Sequence, residues 1–315
     1  MVWLIISIIN MIDNQYFLVK KLGRGGSSDV YLAKDEFDNE FAIKIIRKSK
    51  ENQNSNSTCE LQKEFFVMEM LNKHPNILKC HNFVYDGDLC VDGLTAKIKY
   101  NVLESCSNGT LSSFIRRNGS IPEQFVRFLA HQMSSTILFL HESRIVHLDI
   151  KPQNVLLDEY FNTKLADFGS CEADISCTGM WDRRKGTPKY MAPEVEDFSN
   201  PHPYDMYAAD VYSLGVTIYV MLTGKTPNQN TPICDQSSTN WIDAVDENSE
   251  SSRLLSKGNL FDYGYSEELV SLLESMINHD PAKRPNMSEV WNHSWFTLDY
   301  LDVSPEEVYR FARDI

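Results

Sequence analysis

Apolar and polar residues alternate through 16–22, 29–33 and 40–47, with Gly-rich or Asp/Asn turns between them, which predicts three short strands. The period then lengthens. Leu61, Phe65, Met68 and Leu71 recur at helical spacing, so a helix with one buried stripe is expected over 60–72. His74-Pro75-Asn76 ends it, because proline disfavours helix in the residue before it. Residues 100–103 read as a further strand leading into an extended Glu104-Ser105-Cys106. Beyond this connector the pattern is helical, opening with 110–117. Ser120-Ile121-Pro122-Glu123 reads as a capping box with proline in the first turn, and the helix it starts carries Phe125, Leu129, Met133 and Leu140 on one face. Residues 210–222 are almost wholly apolar and are expected at the centre of the helical part. The Asn-, Ser- and Asp-rich stretch 228–253 reads as a long exposed connection, and Ser304-Pro305-Glu306-Glu307 as the start of one more short helix. No internal repeat is present. The expected class is α+β, a small β-rich part with one main helix and a larger, mostly helical part.

At 315 residues the chain is long enough for one large domain or two lobes with separate cores. Its 42% hydrophobic and 23% charged composition is that of a soluble globular protein. A formal charge of −14 disfavours general binding to nucleic acid or an anionic membrane, since neither partner's phosphates would be neutralised. Arg183-Arg184-Lys185 is the densest basic run. Seven cysteines show no Cys-x-x-Cys pair and no zinc-type spacing, which fits reduced thiols and a cytoplasmic or nuclear location. The apolar stretch 2–12 falls far short of the ~20 residues that cross a bilayer, so no membrane span is expected. With no basic leader and no small-residue cleavage site it also makes a poor signal peptide. Met11 is the expected initiator, with packing of the first ten residues on the small lobe as the alternative.

Short charged motifs then follow in one order. Gly23-Arg24-Gly25-Gly26-Ser27-Ser28-Asp29-Val30 comes first, then Ala42-Ile43-Lys44, then His147-Leu148-Asp149-Ile150-Lys151-Pro152-Gln153-Asn154, and finally Asp167-Phe168-Gly169 and Ala192-Pro193-Glu194. A glycine-rich turn alone is more often a plain hairpin, and a lone Asp-Phe-Gly is commonly just a turn. Together and in register, these motifs resemble the eukaryotic protein kinase family over nearly the whole chain. The resemblance implies a two-lobed protein kinase fold: an N-terminal extension 1–15, a kinase domain 16–296 and a tail 297–315. Within the domain it implies an N-lobe over about 16–103, a hinge at 104–106 and a C-lobe over 107–296.

It also implies ATP and Mg²⁺ as cofactors and a protein substrate. Gly23, Gly25, Gly26 and Ser28 would let backbone N–H groups approach the phosphates. Val30, Ala42 and Leu156 would flank the adenine, whose edge would meet the backbone at Glu104 and Cys106, with Leu103 gating the rear pocket. Lys44 would bind the α- and β-phosphates, held by Glu64, with Glu60 and Glu69 as the alternatives. Asp149 would accept or orient the substrate hydroxyl proton, and Lys151 would neutralise the transferred phosphoryl. Asn154 and Asp167 would hold metal, and Thr187 would bridge Asp149 and Lys151. Glu194 would pair with Arg284, and Asp210 would accept backbone N–H bonds from the catalytic loop. Lys151-Pro152 and Gly186-Thr187-Pro188 point to the Ser/Thr type. The different-class alternative is a pseudokinase scaffold or nucleotide-binding module on the same fold, which normally lacks one of the chemical Lys, Asp or Asn residues; none is missing here.

The chain departs from the family pattern at Leu148, where an arginine normally grips an activation-segment phosphate. Weaker dependence on that phosphorylation is therefore expected, with compensation by Arg183, Arg184 and Lys185 as the alternative. Thr110 and Gln153 stand where kinases directed to basic sites carry acidic residues, and Arg183-Arg184-Lys185 would suit acidic or pre-phosphorylated substrates, with a solvated loop as the alternative and commoner meaning of such a run.

Overall fold

The computed structural model describes residues 10–47, 56–196, 203–227 and 264–297, with the backbone alone for 56–60. The expected connection at 228–253 and the helix start at 304–307 lie outside the described residues. The chain divides into two compact units: one runs to Ser107 and takes in Ala166–Gly169, the other comprises Asn108–Leu165 and the chain from Ser170 onward.

Among its described residues, the first unit is a closed antiparallel sheet with one α-helix. Its strands are β1 (Met11–Ile12), β2 (Tyr16–Arg24), β3 (Ser28–Lys34), β4 (Glu40–Ile46), β5 (Cys80–Val91) and β6 (Leu94–Glu104), in the order β1-β2-β3-β4-β6-β5. The helix α1 spans Asn56–Met70, starting earlier than the apolar stripe alone indicates. Closure comes from β1, which pairs with both β2 and β5, so the sheet begins before Tyr16. Ile12 is fully buried with Ala33, Ile43, Ile45, Tyr100 and Val102, and that burial fastens the segment. The β5–β6 hairpin turns at Asp92-Gly93, both with positive φ, a turn chemistry that suits two-residue hairpins.

The pleat sends alternate side chains to opposite faces. Ile43 and Ile45 face the core, so Ala42 and Lys44 face the other way. Their cross-strand partners share that face: Val30 opposite Lys44, Leu103 opposite Ala42, and Gly23 opposite Val30. Strand alternation alone therefore puts the glycine turn, two apolar residues and the lysine on one surface.

The second unit is mostly helical. Thr110 caps α2 (Leu111–Asn118), its hydroxyl accepting from Ser113 N–H at 3.0 Å. The long helix α3 (Glu123–Glu142) buries Phe125, Leu129, Met133 and Leu140. Small strand pairs follow: β7 (Ile145–Val146), β8 (Val155–Leu157) with β9 (Thr163–Leu165), β10 (Glu172–Ala173) on β7, and β11 (Met180–Trp181) with β12 (Tyr204–Asp205). After the short α4 (Pro193–Glu196) comes α5 (Met206–Thr223), capped by the Asp205 carboxylate. Among the described residues α5 is the one helix long and apolar enough to cross a membrane, and 83% of it is buried inside the protein, which makes it a core helix.

The expected capping box at Ser120 does not form. Pro122 is the N-cap residue and makes no side-chain cap bond. The Glu123 carboxylate goes to tertiary partners: Ser266 N–H at 2.9 Å, the Ser266 hydroxyl, Trp295 Nε1–H at 2.9 Å and Arg127 at 3.2 Å. It thereby ties the start of α3 to the helices Glu267–Met276 and Ser294–Thr297. Burial raises the Glu123 pKa, but the bonds from Ser266, Trp295 and Arg127 outweigh it and leave the carboxyl below its ordinary 4.5. A depressed carboxylate contributes stability above its unfolded pKa and loses it as pH falls through the folded value. Glu123→Gln is expected to lower stability by about 1–3 kcal/mol at pH 7, with a deficit that shrinks below pH 4.5. Thermal melts across that range check it, and a pH-independent deficit would contradict the assignment.

Candidate active site

A lysine on the non-core face of a closed sheet needs a fixed counter-charge, because its flexible stem otherwise leaves the ammonium in solvent. Glu64, in the middle of α1, supplies it. Lys44 Nζ lies 2.8 Å from both Glu64 oxygens and 3.0 Å from Asp167 Oδ1, in the same unit. Glu64 reaches the lysine and is buried, whereas Glu69 is exposed; the Glu60 side chain lies outside the described residues. Burial alone would lower the Lys44 pKa; the Glu64 and Asp167 carboxylates reverse this and hold the ammonium above the ordinary lysine range. Burial pushes the Glu64 carboxyl upward, with Lys44 opposing. Asp167 itself is half-exposed and adopts a left-handed backbone, φ 61°, which costs strain outside glycine.

The other first-unit positions are placed as follows. Gly25 and Gly26 form the turn between β2 and β3, and Ser28 is buried at the start of β3. A Cβ added to Gly23 or Gly26 would meet nothing within 4 Å. The protein itself leaves that space open. Val30 is half-buried, while Ala42 and Leu103 are buried. Glu104 N–H donates to Lys79 O at 2.9 Å, and its carboxylate accepts from Lys79 N–H at 2.7 Å, which fixes the start of the connector; Cys106 lies half-buried within it.

In the second unit, the segment after β7 gathers Asp149, Lys151 and Asn154. Lys151 Nζ donates to Asp149 Oδ2 at 2.7 Å and to the Thr187 hydroxyl at 2.6 Å. Thr187 in turn donates to Asp149 Oδ1 at 2.7 Å. Asn154 Nδ2 donates to the Asp149 carbonyl at 2.8 Å and to Oδ2 at 3.0 Å, leaving the amide oxygen as this side chain's acceptor. Each Asp149 oxygen is thus oriented by a named partner. Leu156, on β8, is half-buried and bridges to Thr110.

Two buried charges lie in the same unit, and the first holds this segment directly. Asp210, on α5 and fully buried, accepts from His147 N–H and Leu148 N–H, both at 2.8 Å, and lies 3.2 Å from His141 Nε2. Those bonds hold Leu148 at φ 62°, a conformation a leucine seldom adopts. Gly186 packs so close that a Cβ would sit 2.6 Å from the Leu148 carbonyl, and its own φ is 108°, so glycine is required. Arg284 forms a fork on Glu194 at 2.7 and 2.8 Å, donates also to Ala208 O and Asn278 O, and lies over the Tyr212 ring.

Sequence reasoning missed Asp174 and His141. Asp174 accepts from Ser176 Oγ–H, Thr178 N–H, Gly179 N–H and Tyr207 O–H at 3.0–3.2 Å. Lys185 pairs with Glu172, so the basic run presents Arg183 and Arg184 as its exposed members. The spacing Asp174-x-Ser176-x-Thr178 is the signal that an Asx-type turn lies here.

The Lys44–Glu64 pair gives a stability test. Lys44→Met leaves the buried Glu64 without its cation, a loss of about 3–5 kcal/mol for a broken buried pair. Because burial raises the Glu64 pKa, the folded variant retains a proton at pH values where an unfolded glutamate, at 4.5, has lost it. Its stability therefore falls as pH rises from there. Chemical denaturation at pH 5 and pH 8 should show the larger deficit at pH 8; equal deficits would refute the strained carboxylate.

Comparison with known proteins agrees with this geometry. A family model described as protein kinase domain matches residues 16–296. The chain is 33% identical over 288 residues to CBL-interacting serine/threonine-protein kinase 7 of Arabidopsis thaliana, covering 90% of this chain and 60% of that protein. It is 33% identical over 303 residues to serine/threonine-protein kinase cds1 of Schizosaccharomyces pombe, covering 91% and 60%. To serine/threonine-protein kinase ULK3 of Mus musculus it is 30% identical over 291 residues, covering 91% and 56%. The alignments thus span about 60% of the length of these curated relatives. With buried Glu64 on Lys44 and Asp149 fixed by Lys151, Thr187 and Asn154, the chain belongs to the protein kinase domain family.

Proposed function

We propose that the chain is an ATP- and Mg²⁺-dependent protein serine/threonine kinase, which transfers the γ-phosphoryl of ATP to Ser or Thr hydroxyls of a protein substrate. The observation that carries this reading is the Asp149–Lys151–Thr187–Asn154 network, since phosphoryl transfer depends on positioning and charge neutralisation. Asp149, held on both oxygens, would orient the acceptor hydroxyl and take its proton. Lys151 beside it would offset charge as it develops on the transferred group. Lys44, charged and clamped by Glu64, suits the α- and β-phosphates. The open space at Gly23 and Gly26 suits the close approach of a polyphosphate to backbone. The base edge would meet Glu104 at its carbonyl, because the N–H already serves Lys79.

Asn154 and Asp167 fit Mg²⁺, a hard cation that takes oxygen ligands and is bound through one or two protein groups plus phosphate and water. Among the described residues no cluster of three or more His, Cys, Asp or Glu side chains forms a dedicated metal cage, in keeping with that mode. When bound, Mg²⁺ supplies charge neutralisation and orientation of the terminal phosphoryl.

Incubation with labelled ATP, Mg²⁺ and a generic protein substrate should give labelled Ser and Thr. Asp149→Asn should lose about 10²–10⁴-fold in rate, the range for a positioned acid–base group, and Asp167→Asn should be comparably inactive. Equal labelling by wild type and Asp167→Asn would sink the reading.

The activation segment is held by the Asp174 carboxylate and by the β11–β12 pairing, with Leu148 where an arginine would grip a phosphate. Phosphatase treatment of the purified protein is accordingly expected to leave most of the activity, whereas Asp174→Asn should reduce it. Loss of activity on dephosphorylation would overturn this expectation.

A further inference from the structure

We infer that Arg47 is a positioning residue for the phosphates of the nucleotide: it claims the carbonyl groups of the glycine-rich turn, leaving the N–H groups of that turn for an anion. The inference rests on the kinase reading above and assigns a role to a residue outside the family motifs. Arg47 directly follows β4, where its charge reads as an ordinary solvated strand end.

Three successive carbonyls converge on this residue. Its Nη2 donates to Gly25 O at 2.6 Å and to Gly26 O, and its backbone N–H donates to Ser27 O at 2.9 Å. The neighbouring cations are engaged elsewhere: Lys21 lies 2.9 Å and Arg24 3.9 Å from Asp29 Oδ1. Within the turn, Gly25 N–H closes onto Ser28 O at 2.8 Å. The N–H groups of Gly26 and Ser27 make no hydrogen bond among the described residues.

Peptide geometry connects the two sets. In a trans peptide the C=O of one residue and the N–H of the next point in opposite directions. No cis peptide occurs among the described residues. Holding the Gly25 and Gly26 carbonyls toward Arg47 therefore turns the Gly26 and Ser27 N–H groups away from it, side by side. Successive N–H groups on one side of a short turn make an anion-binding concavity. A Cβ at Gly26 would meet nothing within 4 Å, so that approach is open. Without Arg47, the carbonyls can rotate toward the ligand, where oxygen meets oxygen. The effect is specific to phosphate, because the base and ribose do not depend on those two donors.

The test compares ATP with adenosine by titration calorimetry on wild type, Arg47→Met and Arg47→Lys, all with Mg²⁺. Arg47→Met should bind ATP about tenfold more weakly, the scale of one or two charge-assisted hydrogen bonds, with adenosine affinity unchanged. Arg47→Lys, with a compact ammonium in place of the planar fork, should fall between. In steady state the KM for ATP should rise while kcat changes little. Undiminished ATP binding by Arg47→Met, or equal losses for ATP and adenosine, would overturn the proposal. If Arg47→Met fails to fold, the same comparison on Arg47→Lys decides. A wild type that binds neither compound would instead overturn the kinase reading on which the inference stands.

Discussion

The first unit depends on one electrostatic constraint, the pairing of a lysine ammonium with a carboxylate that the fold has taken out of water. Lys44 keeps 17% of its side chain exposed and Glu64 4%, so neither is solvated well enough to stand alone. The packing that buries Leu61 and Met68 of α1 turns Glu64 toward the lysine. The core side holds Ile43 and Ile45, and the pleat then sends Ala42 and Lys44 to the other side with Val30, Leu103 and Gly23. Asp167 joins the pair from far along the chain, and its left-handed backbone records what that placement demands.

The second unit follows the same logic with different partners. A fully buried aspartate, Asp210, accepts the backbone N–H groups of His147 and Leu148. The conformational strain of Leu148 persists because those bonds over-determine it. Arg284 on Glu194 is likewise removed from water and fully hydrogen-bonded, the condition under which a buried pair is tolerated. Thr187, Lys151 and Asn154 hold Asp149 through hydrogen bonds to its two oxygens. Pre-organised dipoles of this kind need not rearrange when charge develops.

Two further charge-assisted contacts lie in the turns. An arginine at the end of β4 takes three carbonyls of the glycine-rich turn, and an aspartate gathers four donors in the segment after Asp167-Phe168-Gly169. Both replace flexible backbone with charge-assisted hydrogen bonds, and both use residues that belong to no recognised motif. A turn is a place where backbone polar groups lack sheet or helix partners, so a nearby side chain of the right charge has most to contribute there.

What the amino-acid order determined by itself was everything that repeats at short range. Strand alternation over residues 16–47, the helical stripe from Leu61 to Leu71, the apolar run of α5 and the short motifs around Lys44, Asp149 and Asp167 all follow from local periods and spacings. Tertiary structure decided the choices among locally equivalent groups. Glu64 rather than Glu69 meets Lys44 because helix rotation is set by packing, not by composition. Glu123 leaves its local cap because Ser266 and Trp295 offer it more donors from distant sequence. Met11–Ile12 close the sheet because their edge meets β5 as well as β2, a pairing no local pattern contains. Hydrogen-bond and ion-pair partners are selected by distance in space, and a linear pattern encodes that distance only within a turn or two of chain.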